Sequence, residues 1–470
     1  MIDVVNWLDE NKAGFVAMAD EIWAHPELGF REFRASRLQA DALEAAGFDI
    51  AWDVGGMNTA FVAEWGEGQP ILGFAGEYDA LPGLSQKVQP SPEPVEEGAP
   101  GHGCGHNLLG AGCLAAALAV REWLAVAGRA GTVRYYGCPA EERGSAKVLM
   151  ARAGAFDDLA AAFNFHPGYA NYAAKGSMIG VNEVRYRFHG KAAHAAALPH
   201  LGRSALDAVE LMNVGVNYLR EHILDSIRIH YVISDGGQAP NIVPERAEGW
   251  YFIRAVQPAE LAEVAKRVSK VAQGAAMMTE TRLEEILESA VASVLNNHIL
   301  ADMQYEAMQS LGPIEFSAEE MAFAQAINGH SPPGAAAQLA GIFGLSPDLV
   351  SGPLLGDVLP SVDEGKVLPG STDVGDMSWK VPLSMLWTAC FPLGAPVHSW
   401  GAVAASGSAI GHKGMIYAAK VMALTALELY RHPEKLAAVR RGFEASIARR
   451  PYVCLLPDDY QPPQHEHPYR

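Results

Sequence analysis

Apolar residues are spaced with two different rhythms along the chain. Leu8, Phe15, Met18 and Ile22 share one side of a helix predicted from Val4 to Ala24. His25-Pro26-Glu27 stops it, because the residue before a proline is biased away from the helical region. Pro70 to Gly76 reads as a short buried strand, Thr132 to Gly137 as a second, and Phe163 to His166 ends a third apolar segment. Prolines at 82, 90, 92, 94 and 100 mark a loop, and the Ala-rich stretch Leu108 to Leu124 is helical. Strands alternating with helices predict an α/β layer structure.

The rhythm then changes. Val184, Tyr186 and Phe188 alternate with polar residues, the period of a strand with one exposed face. Ser204 can cap a helix running to about Glu221, and strands follow at Ile227 to Ile233 and Glu248 to Ala255. Pro258 opens another helix, and Thr279 to Ile286 is a last strand. This strand–helix–strand–strand–helix–strand order is a ferredoxin-like α+β unit. It interrupts the α/β pattern, which resumes with helices near Val294 to Gln309 and Ala318 to Ile327. The expected organisation is an α/β catalytic domain over 1–181 and 293–470, with 182–292 inserted.

A length of 470 residues alone would suggest about three domains in series. The pattern reduces that to two. With 49% hydrophobic and 19% charged residues, the chain can build large cores, and global disorder is excluded. A net charge of −19 without a basic run speaks against nucleic acid as a partner. Five cysteines argue against a disulfide framework and for a reducing compartment. Asp3, Asp9 and Glu10 fall where a signal peptide forbids them. The longest apolar run, Leu108 to Val120, has 13 residues, short of the roughly 20 that span a bilayer. The expectation is a soluble cytoplasmic protein with no membrane association.

Four segments concentrate metal-binding side chains. In GHGCGHN at 101–107, three glycines allow a tight bend, and Cys104 and His106 can face one side. Cys138-Pro139-Ala140-Glu141-Glu142 follows a strand. On an extended strand end the two carboxylates would point oppositely, one to a metal and one to water. His166-Pro167-Gly168 ends an apolar segment, and His398 lies in Val397-His398-Ser399-Trp400 after an apolar run through Leu393. All four lie at strand ends, where open α/β sheets place their sites. His465 and His467 on the Pro-rich tail, which is expected to lie over the surface, read as inert.

These motifs, with HPELGF at 25–30, GEYDALPG at 76–83, HAAALPH at 194–200, PNIVP at 240–244 and GSTDVGD at 370–376, resemble the aminoacylase/carboxypeptidase G metallopeptidase family. The similarity is greatest to its amidohydrolase branch, which holds indole-3-acetyl-amino acid hydrolases and p-aminobenzoyl-glutamate hydrolase. The resemblance implies two divalent metals per subunit, Mn2+ or Zn2+. Cys104 would bridge them, and His106, Glu142, His166 and His398 would complete the ligands. Glu141 would be general base and acid. His194 would reach a partner subunit's site and steady the oxyanion, while Asn241 and Arg254 would hold a substrate carboxylate. The inserted unit would be a lid and dimerisation domain, giving a homodimer or larger assembly, with a paralogous partner subunit possible. Asp79 and Asp373 are candidates to orient the histidine ligands. Arg143 follows the Glu pair where this group usually has a small residue. It would either clamp an anionic substrate or lie solvated.

The resulting expectation is a metal-dependent amidohydrolase acting on an N-acyl or aminobenzoyl amino acid. Two alternatives are hydrolytic deamination of an aromatic amino acid such as an aminobenzoate, and a non-catalytic partner subunit.

Overall fold

Strands Ile71–Glu77 and Leu383–Ala389 are buried at every position, so they need cover on both faces. The computed structural model describes residues 3–342, 344–346, 352–448 and 450–465. Its main sheet has seven strands, in the order Asp49–Trp52, Phe61–Glu67, Gly131–Cys138, Ile71–Glu77, Ala161–Gly168, Leu383–Ala389 and Tyr172–Ala173. The four from Gly131–Cys138 to Leu383–Ala389 are parallel, and the flanking strands are antiparallel. From Ile71–Glu77 the chain passes through helix His106–Ala127 to one neighbour, Gly131–Cys138. It then crosses to the other neighbour, Ala161–Gly168. That reversal opens a crevice at the carboxyl ends of these strands.

Helix His106–Ala127 is long and apolar enough to cross a membrane by length and composition. Here it is a core helix, packed on the sheet and against helices Val4–Ala24 and Ala409–Arg431. Its N-terminus depends on Gly105, which has φ +79°, and a Cβ there would lie 2.9 Å from Pro167 Cγ.

A second, four-stranded antiparallel sheet has the order Arg282–Val291, Gly180–His189, Arg246–Ala255, Arg228–Asp235. Helices Ala205–Leu219 and Pro258–Thr279 pack on it around a separate core that includes Phe188, Val209, Tyr251 and Val268. Ser204 caps the first helix by accepting from the Asp207 N–H.

Several elements went unread in the sequence: helix Phe33–Ala45, strands Phe61–Glu67 and Leu383–Ala389, and helices Trp400–Ser406, Ala409–Arg431 and Pro433–Ile447. The tail runs along the body, where Arg152 donates to the carbonyls of Pro457 and Tyr460 at 2.8 Å each. His465 lies 3.5 Å from Arg31 Nε, while His467 is outside the described residues.

Asp376 ties the tail to the exit from the second sheet. Its carboxylate accepts from the Ala292 N–H at 2.8 Å and from the Tyr452 hydroxyl at 2.7 Å. Burial pushes its carboxyl up from 3.8 to about 7, against those two hydrogen bonds. The folded state therefore binds this proton more tightly than the unfolded chain does. The stability it contributes is fully present below about pH 4 and is lost as pH rises towards about 7. Asp376→Asn is expected to remove that slope. In urea unfolding the variant should gain ~1–3 kcal/mol on the wild type between about pH 4 and pH 8. A pH-independent difference would contradict the assignment.

Candidate metal centre and active site

The loop 101–107 folds against the loop carrying His398. The His398 N–H donates to the Gly103 carbonyl at 2.9 Å, and a Cβ at Gly103 would lie 3.2 Å from His398 Cα. Glycine at 103 permits that approach. Cys104 Sγ then lies 3.5 Å from His166 Nε2. His166 Nδ1 lies 2.8 Å from the Pro167 carbonyl, which fixes the proton there and leaves the Nε2 lone pair facing the sulfur. His106 is oriented in the same way, with Nδ1 2.8 Å from Asp79 Oδ1. Asp79 Oδ2 also accepts from the Glu142 N–H at 2.9 Å, so one carboxylate aligns a histidine and the Glu pair.

The Glu pair does not sit on an extended strand end. The strand stops at Cys138, Ala140 takes φ 51°, and Glu141–Gly144 forms one helical turn. Two consecutive residues of a helical turn are rotated by about 100°. Glu142 Oε1 thereby comes 3.3 Å from His398 Nε2, and Glu141 Oε2 comes 3.9 Å from His106 Nε2.

Ligand atoms gather in two trios that share one residue: Cys104, His106 and His166, and Cys104, Glu142 and His398. Within each trio every ligand atom lies within 4.8 Å of the others. Tetrahedral bonds of about 2.0–2.3 Å to N, O and S separate ligand atoms by about 3.3–3.6 Å. The 3.5 Å between Cys104 and His166 and the 3.3 Å between Glu142 and His398 fit that geometry. A third trio holds Glu77, His106 and Glu141. His106 Nε2, Glu77 Oε2 and Glu142 Oε1 are buried without a hydrogen-bond partner. Buried acceptors facing one another are unfavourable unless a cation lies among them. The residues therefore fit a divalent metal.

The two glutamates are set apart electrostatically. Burial raises the Glu141 carboxyl well above its usual range, and the charges of Glu77 and Glu142 push it the same way. Burial also works upward on Glu142, but His398 and His106 outweigh it and hold it below its ordinary value. Such a split marks one proton carrier and one permanent anion. Burial raises the Cys104 thiol, with Glu142 adding to the effect, so the sulfur needs a nearby cation to act as thiolate.

A cavity of about 170 Å³ adjoins the cluster, with Met178, Leu368, Trp387 and Val397 as apolar walls and Ser371 and Thr372 as polar ones. Trp387 packs on the His166 ring at 4.9 Å between centroids. Arg254 reaches this wall by donating to Ser371 Oγ at 2.9 Å. Asn241 and His194 lie elsewhere. Their loops pair on the second sheet's unit, through the Ala195 N–H and the Asn241 carbonyl at 3.0 Å. Neither lines the cavity. Arg143 is exposed and also outside the lining, with Glu183 of the second sheet feeling its charge. Asp373 meets no histidine ligand; it is paired with Lys147, 2.6 Å from its ammonium. Its place as an orienting carboxylate is a correction, because its partner lies more than 200 residues away and is invisible in local spacing. Glu77 and Lys147 belong to none of the ligand motifs. The one signal for Glu77 was an acid ending an otherwise apolar strand.

The model of the Peptidase family M20/M25/M40 matches residues 73–401. One of the two kinds of chain that make up p-aminobenzoyl-glutamate hydrolase in Escherichia coli (strain K12), its B chain, is 41% identical over 469 residues, covering 97% of each chain. The Xaa-Arg dipeptidase of Mus musculus is 30% identical over 457 residues, covering 94% of this chain and 91% of that one. Among solved structures, a dinuclear metal-binding peptidase of the M20 family from Bacillus subtilis has the same fold. Its TM-score is 0.57 at 19% identity, covering 90% of this chain and 99% of that one. With a family model spanning most of its length and full-length relatives at these identities, the chain belongs to the peptidase family M20/M25/M40 and is a metal-dependent amide hydrolase.

Proposed function

We propose that the chain cleaves the amide bond of an N-acyl or aminobenzoyl amino acid conjugate at a dinuclear centre of Mn2+ or Zn2+ bridged by Cys104. The observation that carries this reading is the sharing of Cys104 by two ligand trios, with Glu141 beside them. A relative named as part of p-aminobenzoyl-glutamate hydrolase puts such conjugates first. The apolar walls around Trp387 suit an acyl or aryl group.

Two bound divalent cations supply a more acidic water and a polarised carbonyl. Glu141 takes a proton from that water and passes it to the leaving amine; its raised proton affinity suits both halves of the transfer. Asp79 holds His106 and the Glu142 turn in place, and the Pro167 carbonyl holds His166. Arg254, at the Ser371 wall, holds the substrate's carboxylate together with Asn241.

His194 does not line the cavity of its own chain, so we assign it to the site of a second copy, where it would face the oxyanion. The second sheet offers a surface for that association. Strand Arg228–Asp235 is its free edge, with Val232 and Ile233 exposed, and Leu211, Val214 and Tyr218 form an exposed apolar stripe on helix Ala205–Leu219. The E. coli relative is named as one of a lettered pair of chains, which also admits a paralogous partner.

Glu141→Gln is expected to lower turnover by about 10²–10⁴-fold while metal content stays unchanged. Unaltered turnover would overturn the mechanism. Cys104→Ser is expected to lower metal content and activity together, read by elemental analysis beside an assay; normal metal stoichiometry would refute the bridge. Mixing inactive Glu141→Gln and His194→Ala protomers is expected to restore activity, and no recovery would refute the role of His194 in a second copy. With aminobenzoyl conjugates the expected product is a free amino acid. Ammonia released from an aminobenzoate would instead establish ring deamination.

A further inference from the structure

Among the described residues, Lys147 is the one lysine whose side chain is fully buried. Its Nζ lies 2.6 Å from Asp373 Oδ1 and 2.7 Å from Glu77 Oε1, and its N–H donates to Asp373 Oδ2 at 2.8 Å. Glu77 is the last residue of a central strand, and its Oε2 lies 3.2 Å from His106 Nε2. Lys147 itself is the second residue of helix Ala146–Arg152, directly behind the turn that carries Glu141 and Glu142. That turn is bounded by two left-handed residues, Ala140 at φ 51° and Ser145 at φ 57°. Its front is pinned by the Ala140 N–H on Glu32 at 2.7 Å and the Glu142 N–H on Asp79. Lys147 pins its back.

A buried ion cluster is a poor device for stability alone, because desolvation offsets most of the attraction. What it gives is a fixed separation between the elements it joins. We propose that Lys147 is a positioning residue of the metal centre, tying the Glu141–Glu142 turn to Asp373 and to the strand end that sets Glu77 beside His106. The proposal rests on the metal-hydrolase reading above.

The test uses Lys147→Met/Asp373→Asn, which removes one buried cation and one buried anion together, and Lys147→Gln as a second variant. Each is loaded with Co2+, whose visible absorption reports ligand geometry, and assayed on an aminobenzoyl conjugate. The expected result is a folded protein whose kcat falls about 10- to 100-fold, the cost of misplacing a catalytic group by about 1 Å. KM should change by less than about threefold, and the Co2+ bands should shift. A folded variant of either kind with wild-type kcat and a wild-type Co2+ spectrum would overturn the proposal alone. A wild-type protein that takes up no Co2+ would overturn the metal reading and the proposal with it.

Discussion

Electron-pair donors that converge in a buried place repel one another, and most of the site's architecture answers that constraint. Cys104, His106, His166 and Glu142 present lone pairs to a common region, and Glu77 and Glu141 press against it from one side. Their hydrogen-bond donors point the other way. Asp79 takes the His106 proton and the Pro167 carbonyl takes that of His166, so only acceptors face inward. Such an arrangement is stable when positive charge lies among the acceptors. Lys147 is a fixed cation at the edge of this cluster, and its charge is already engaged by Glu77 and Asp373.

The sheet explains how distant residues meet. Parallel strands end on the same edge, and the chain reverses its direction of travel between Gly131–Cys138 and Ala161–Gly168. The loops leaving that edge can then fold over one crevice. The close approach of Gly103 to His398 joins loops almost 300 residues apart in the chain. In the same way Gly105, with its left-handed backbone, lets the helix start beside Pro167. Side chains at either glycine would hold the ligands apart, so the glycine-rich motif is part of the metal site's geometry.

Much of this was legible in the chain. The ferredoxin-like rhythm, the helix starts at Ser204 and Pro258, and the position of each ligand segment at a strand end follow from local patterning. What stayed hidden depended on distant partners. Leu383–Ala389 is a parallel strand covered on both faces, so it shows no alternation and read only as an apolar run. Asp373 looked like a partner for histidine, but a lysine from another part of the chain claims it. The Glu pair was misread because the left-handed Ala140, which turns the chain before it, has no residue signal: neither glycine nor asparagine stands there. Arg143, which follows both glutamates in sequence, is turned out to solvent by that same helical step.

The second sheet bears on the chemistry through placement. It carries Arg254 to the cavity wall in its own chain and holds His194 and Asn241 away from it, in a unit with an exposed edge and an apolar stripe. Both sides of this division meet at the metal centre, whose defining feature is a shared cysteine. Anomalous diffraction at the metal absorption edge tests that feature most directly. The expected result is two peaks about 3.5–4 Å apart, both within bonding distance of Cys104 Sγ. A single peak, or two peaks of which only one reaches the sulfur, would contradict the account.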